Sequence, residues 1–339
     1  MKIDFNSLFF SKTQCFLDSY LTNQCSKSKH TVKAYRDSLT VFRRFISEQG
    51  LSIKTFTFND CTRDFLLSFM EYLQAKGYKQ SACNQRLAAI KSYMWYVSDG
   101  DITWQQNALS VSRVPFLKVS ESEKTIISET CLKALLAAPK HDKRGIRDAA
   151  IMIVLYDSAI RLSELLSLNV SDVNLQHDVP YLRIRGKGDK ERIVSISENT
   201  VGHLKQYLKL YHSDESSDCN YVFYTVIHGK ACQMSPGNVE RIINKYASEI
   251  QQDYPDMPTK VHPHMFRRTR ATNLYQNDID LELVSRILGH ASTQTTRIYA
   301  KPSLDMMKKA MDKTNPDLNA EQPLWPNDED EFARLCGLR

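Results

Sequence analysis

Apolar residues recur at intervals of three and four through most of the first hundred positions. In HTVKAYRDSLTVFRRFI, residues 30–46, Val32, Tyr35, Leu39, Phe42, Phe45 and Ile46 fall on one stripe, which predicts an amphipathic helix. CTRDFLLSFMEYLQAKG, 61–77, repeats the pattern with Phe65, Leu66, Phe69 and Leu73 and stops at Gly77. SACNQRLAAIKSYMWYV, 81–97, gives a third stripe of Leu87, Ile90, Met94 and Val97. A compact domain of four or five helices over residues 1–112 is expected. SVSRVPFLKVSESEK, 110–124, has no period, contains Pro115 and turns polar, so a linker is expected, bounded at 113–125.

The pattern changes character further on. Helical spacing returns at about 129–138 and 146–168. YLRIR and KERIVSI then alternate in steps of two around GKGD, predicting a β-hairpin with Lys187 at its bend. Helices follow at about 199–211, 237–250, 265–276, 280–288 and 302–312. A second domain over 126–313 is therefore mainly α with a small β-sheet. The remainder, 314–339, holds Pro316, Pro323 and Pro326 and is expected to be extended up to a short helix near DEDEFARL.

Composition removes several classes of function. The longest apolar run, AAIMIVLY at 149–156, is too short to cross a bilayer. Asp4 and Asn6 interrupt what would be the apolar centre of a leader in MKIDFNSLFF, and eight cysteines without a CxxC pair suit free thiols. A cytoplasmic protein is expected. His212, Cys219, His228 and Cys232 cluster in sequence, but no pair has zinc-finger spacing, and no metal is expected. With neither GxGxxG nor GxxxxGK[ST], nucleotide cofactors are not expected either. The net charge of +6 is unevenly spread. Residues 314–339 carry −4, and residues 1–118 carry +7, a balance suited to a polyanion such as nucleic acid.

Six residues invite chemistry. Arg161, in DSAIRLSELLSLNVSDV, sits at the edge of an apolar face, where it needs an anion: a salt bridge to Glu164 or Asp148, or a bound phosphate. In HPHMFRRTRATNLYQN, His264 and Arg267 are three apart on one helical turn, and Pro263 marks a helix start. ILGH stops a helix at glycine and leaves His290 just beyond, nine residues before Tyr299. Lys187 completes the set.

In order and spacing, SAIRLSELLSL, RGKGDKERIV, PHMFRRTRAT, ILGH and TTRIY resemble the tyrosine recombinases, the phage integrases and Xer-like enzymes, over about 126–300. TVKAYRDSLTVFRRFI and NQRLAAIKSYMWYV are similar to the family's core-binding domain, a SAM-like helical fold. The family usually has TGLR where this chain has SAIR, and LRHTFAT where it has FRRTRAT; Arg268 and Arg270 add charge beside Arg267.

The resemblance implies a mixed α/β catalytic domain that cuts duplex DNA through a 3′-phosphotyrosine. Tyr299 would be the nucleophile, His264 its base, Lys187 the acid for the leaving 5′-hydroxyl, and Arg161, Arg267 and His290 the phosphate clamp. It also implies a homotetramer on two paired sites, with a related recombinase or accessory protein as a further partner. Lys33, Arg36, Arg43, Lys79, Arg86 and Lys91 are candidate DNA contacts in the first domain; Lys190, Arg192 and Arg297 are candidates near the cleavage point. About 120 residues precede the catalytic motifs, enough for one DNA-binding domain. Integration, excision or transposition of a mobile element is the favoured role, and Xer-like dimer resolution the alternative. A type IB topoisomerase and a catalytically silent DNA-binding regulator are the competing readings.

Overall fold

The computed structural model describes residues 4–119, 125–186, 191–213, 219–289, 293–296, 304–314 and 328–338. The chain divides into two compact units, Met1–Glu123 and Lys124–Arg339. The first is helical. A ten-residue π-helix, Cys15–Gln24, precedes α1 (Lys29–Glu48), α2 (Arg63–Ala75), α3 (Gln80–Gly100) and α4 (Gln105–Ser112). Ser28 and Thr62 cap α1 and α2, each side chain accepting a hydrogen bond from a backbone N–H three residues on. The stripes read from the sequence meet in an aromatic core of Phe9, Phe16, Phe42, Phe45, Phe58, Phe69 and Tyr93. The Tyr93 hydroxyl donates to the Phe9 carbonyl at 2.6 Å, satisfying the one polar atom its ring carries inward.

The aperiodic stretch that begins at Ser110 opens inside a helix. Residues 110–112 belong to α4, and Val111 and Val114 are buried. Lys91 accounts for this: its ammonium donates to the carbonyls of Ser112, at 2.9 Å, and Val114 as the helix ends.

In the second unit, α5 (Glu129–Ala137), α6 (Lys143–Asp157) and the short α7 (Leu162–Leu166) lead into β1 (Val173–Asn174), β2 (Tyr181–Arg185) and β3 (Glu191–Ser195). These strands form an antiparallel sheet in the order β1-β2-β3, with Tyr181 opposite Ser195 and Arg185 opposite Glu191. Leu182, Ile184 and Val194 face the core, so the predicted alternation holds. Then come α8 (Glu198–Tyr211), a second hairpin of β4 (Tyr224–Ile227) and β5 (Lys230–Gln233), α9 (Pro236–Ile250), α10 (Pro263–Gln276), α11 (Leu281–Leu288), α12 (Leu304–Thr314) and α13 (Glu329–Leu335).

The second hairpin is not predicted by the periodicity of the sequence. His228 and Gly229 both have positive φ, 48° and 77°, as a tight two-residue turn requires. The buried helix α6 organises the unit, packing against both α8 and α10. It can begin as it does only because residue 145 is glycine: a Cβ there would lie 1.9 Å from the Lys140 carbonyl oxygen. Where the chain enters this unit it is fastened to α10. Arg268 Nη1 donates to the Thr125 carbonyl at 2.9 Å, and the Ile127 N–H donates to Thr269 Oγ1 at 3.0 Å. No helix among the described residues is long and apolar enough to cross a membrane.

Candidate active site

Arg161 stands at a break in the chain. The periodicity over 146–168 predicted one helix, but α6 ends at Asp157 and α7 starts at Leu162. Between them the Ser158 hydroxyl donates back to the Val154 carbonyl at 2.5 Å, and Ala159 turns left-handed at φ 50°. Such a conformation costs an L-residue roughly 1–2 kcal/mol. A hydrogen bond from a residue over a hundred positions away offsets it, which is why local pattern does not reveal the break.

That residue is Arg267. Its side chain is 1% exposed, and it sits in the first turns of α10. Nη1 donates to the Ala159 carbonyl and Nη2 to the Leu288 carbonyl, both at 2.6 Å. One planar guanidinium thus joins the break carrying Arg161 to the end of α11, immediately before Gly289. Burying the charge is tolerable because oriented carbonyl dipoles receive it. His264 lies one turn earlier on the same helix and is exposed, after His262 as N-cap and Pro263 at the first helical position.

Glu164 holds the arginine side of the site together. Its carboxylate, 5% exposed, accepts from the Arg161 backbone N–H and from Arg161 Nη1, each at 2.8 Å. It also accepts from Arg192 Nη1 at 3.1 Å and Nη2 at 2.8 Å. Burial pushes this carboxyl up. The hydrogen bond from Arg192, the Arg161 N–H and the charge of Arg192 outweigh burial and hold it below the ordinary carboxylate range. Of the two carboxylates considered for Arg161, Glu164 is the partner. Asp148 is engaged by Arg147 at 2.9 and 2.7 Å and by the Tyr246 hydroxyl at 3.0 Å. The Arg161 side chain remains 42% exposed, in reach of a ligand.

Arg192, on β3, therefore faces a carboxylate. Its guanidinium also lies against Gly289, where a Cβ would come within 2.7 Å of Cζ. Gly289 closes α11 at φ 63°, the left-handed C-cap the glycine in ILGH predicts. Arg161, Arg192, Arg267 and the Gly289 turn thus share one set of contacts. Lys187, His290 and Tyr299 lie outside the described residues, as do Lys190 and Arg297.

The arginines that depart from the usual family string have partners of their own. Arg270 Nη2 meets Asp157 Oδ1 at 3.2 Å while its guanidinium lies over the Tyr156 ring, so its charge is answered inside the fold. In the first unit Lys33, Arg43 and Lys79 are exposed. Arg36 pairs with Asp18 at 2.9 Å. Arg86 donates to the Ala82 carbonyl and stacks 4.3 Å from the Tyr78 ring centroid, and Lys91 closes α4. His212 donates to the Val222 carbonyl at 2.9 Å, whereas the thiols of Cys219 and Cys232 point to the carbonyls of Tyr221 and Lys230. Among the described residues no group of three or more His, Cys, Asp or Glu could hold a metal ion.

Residues 126–305 match the phage integrase family, and residues 16–99 match the phage integrase N-terminal SAM-like domain. A tyrosine recombinase of Agathobacter rectalis is 33% identical over 89% of this chain and 97% of its own length. Tyrosine recombinase XerC of Thermodesulfovibrio yellowstonii is 29% identical over 90% and 98%. The fold is also that of the Tn1549 transposon integrase in complex with a circular intermediate DNA, at TM-score 0.66 and 16% identity over 88% of this chain and 98% of that one. A helical SAM-like unit and a mixed unit built round an arginine cluster define an enzyme that cuts and rejoins DNA in site-specific recombination. The chain belongs to the phage integrase family of tyrosine recombinases.

Proposed function

We propose that Tyr299 attacks a phosphodiester in duplex DNA and forms a 3′-phosphotyrosine. A phenol of reference pKa about 10 is a poor nucleophile unless its proton is removed during attack. His264 accepts that proton, and Lys187 gives one to the departing 5′-oxygen. Arg161, Arg267 and His290 stabilise the charge that builds on the phosphorane, the two guanidiniums staying charged throughout. A 5′-hydroxyl of a second strand then attacks phosphorus and releases the tyrosine. The linkage keeps its bond energy, so rejoining draws on no nucleotide. The observation that supports this reading is the double hydrogen bond of Arg267, which ties the break at Arg161 to the turn preceding His290.

Residues 1–112 serve as the core-binding domain, 113–125 as linker and 126–313 as catalytic domain, acting as a homotetramer on paired sites in the cytoplasm. Lys33, Arg43 and Lys79 contact phosphates. Residues 314–339, with α13 exposing Phe332 and Leu335, dock on a neighbouring subunit. The biological role is movement of a mobile element. Resolution of chromosome or plasmid dimers is the second reading, favoured by near-full-length similarity to proteins named XerC.

The test is a nicked suicide duplex drawn from DNA flanking the gene, resolved on a denaturing gel. A covalent band with the native protein that vanishes in Tyr299→Phe supports the reading. DNA shifted on a native gel without a covalent band on any flanking sequence overturns it and leaves a DNA-binding regulator. Cleavage of a chromosomal dimer-resolution site, with none at element ends, decides for the second role.

A further inference from the structure

Arg192 is 16% exposed in its side chain and reaches Glu164 across 28 positions of sequence. Both terminal nitrogens are spent on that one carboxylate, and the guanidinium lies beside Gly289, where a Cβ would come within 2.7 Å of Cζ and Nε. Its Nε is buried with no hydrogen-bond acceptor among the described residues. Arg161 keeps 42% of its side chain exposed, whereas Arg192 is turned inward between the start of α7 and the Gly289 turn.

We infer that Arg192 is a positioning residue: through Glu164 it fixes the fork of Arg161, and through Gly289 it fixes the turn that leads into His290. The inference rests on the recombinase reading above. Three features of the chain converge on it. Glu164 is bonded to Arg161 twice, so any shift of the carboxylate carries Arg161 with it. Gly289 admits the guanidinium because it has no Cβ, and alanine there would displace Arg192 from Glu164. β3 pairs with β2, and Lys187 falls between them in sequence, so the same side chain anchors this pair of strands to Glu164 and Arg161.

The experiment measures single-turnover cleavage of a nicked suicide duplex, dissociation constant and melting temperature for native protein, R192K, R192A, G289A and R192A/G289A, with Tyr299→Phe as control. Lysine keeps the charge and much of the stem but cannot bind both carboxylate oxygens as a fork. Misplacing catalytic groups by an ångström costs on the order of 100-fold, so a cleavage-rate loss of ~10–100-fold is expected in R192A. R192K should lie between R192A and native protein in cleavage rate, with DNA affinity held within about 3-fold and its melting temperature lowered less than that of R192A. Alanine at Gly289 both crowds Arg192 and strains a left-handed turn, so R192A/G289A should cleave below the R192A rate yet clearly above the product of the two losses. Native cleavage rates in R192A and R192K, multiplicative losses in the double variant, or a loss of affinity at unchanged rate would each overturn the inference. If the native protein itself forms no covalent band, the recombinase reading fails and the inference falls with it; a native band lost in Tyr299→Phe but untouched at Arg192 removes the inference alone.

Discussion

Glu164→Gln isolates a buried charge without altering shape. The native carboxylate receives four hydrogen bonds from two arginines. Glutamine keeps one acceptor oxygen and turns the other position into an NH₂ donor facing a guanidinium. Arg161 is 42% exposed and recovers part of its loss from water, so it adds little. Arg192 is 16% exposed and does not. Breaking a buried pair from one side costs about 3–5 kcal/mol, and allowing for the oxygen retained and the partial exposure brings this to roughly 2–4 kcal/mol. For a unit of this size each kcal/mol lowers the melting temperature by about 2–4 °C, so a fall of roughly 4–16 °C is expected by calorimetry. The pH dependence adds an independent check. The Glu164 carboxyl is held below its ordinary value of 4.5. Its stabilisation is therefore complete above about pH 4.5 and disappears as pH falls through the lower folded value. The difference between native and variant should be constant at neutral pH and close on acidification below that point. A Glu164→Gln protein melting within 1 °C of native at pH 7, or a difference that stays constant down to pH 3, would refute the reasoning.

Other outcomes follow from the same geometry. Gly145→Ala forces a methyl group against the Lys140 carbonyl and should cost about 1–3 kcal/mol in urea titration; an unchanged midpoint would mean that α6 starts differently. Arg267→Lys forfeits two charge-assisted hydrogen bonds to buried carbonyls, with an expected loss of roughly 2–4 kcal/mol in the same assay, and native stability would contradict the buried clamp. Arg270→Phe removes a charge already answered by Asp157, which keeps its bonds from the Ser197 N–H and the Thr200 hydroxyl. Cleavage at the native rate and a stability loss of about 1–3 kcal/mol are expected, because a mostly buried carboxylate loses its ion partner, and a salt slope of DNA binding reduced by about 1 would show that Arg270 reaches phosphate after all. Lys33→Ala should lower DNA affinity and reduce the salt slope by about 1, whereas Lys91→Ala should lower melting of the first unit; the reverse pattern would exchange their roles.

The sequence is most legible where structure is local. Stripes of apolar residues mark α1 to α3, alternation marks β2 and β3, and glycine marks the end of α11, because each depends on neighbours within a few positions. The break at 158–161 is different: apolar spacing runs straight through it, and its cause is the guanidinium of Arg267, supplied from α10. In the sequence Glu164 and Asp148 are both open as partners for Arg161, and the capping box at the start of α7 selects Glu164. Its second partner, Arg192, lies on a strand and follows no local rule. The β4–β5 hairpin did carry a signal, the His228–Gly229 turn, but its strands are four residues each and mostly exposed, too brief for alternation to stand out.

The fastening of residues 125–127 to α10 has a mechanical meaning. A pull that reaches Thr125 acts on a backbone already hydrogen-bonded to α10. It is taken up by the bonds to Arg268 and Thr269, directly on the helix whose preceding residues are His264 and Arg267. Tension in the connection and the setting of the arginine clamp are thereby borne by the same rod.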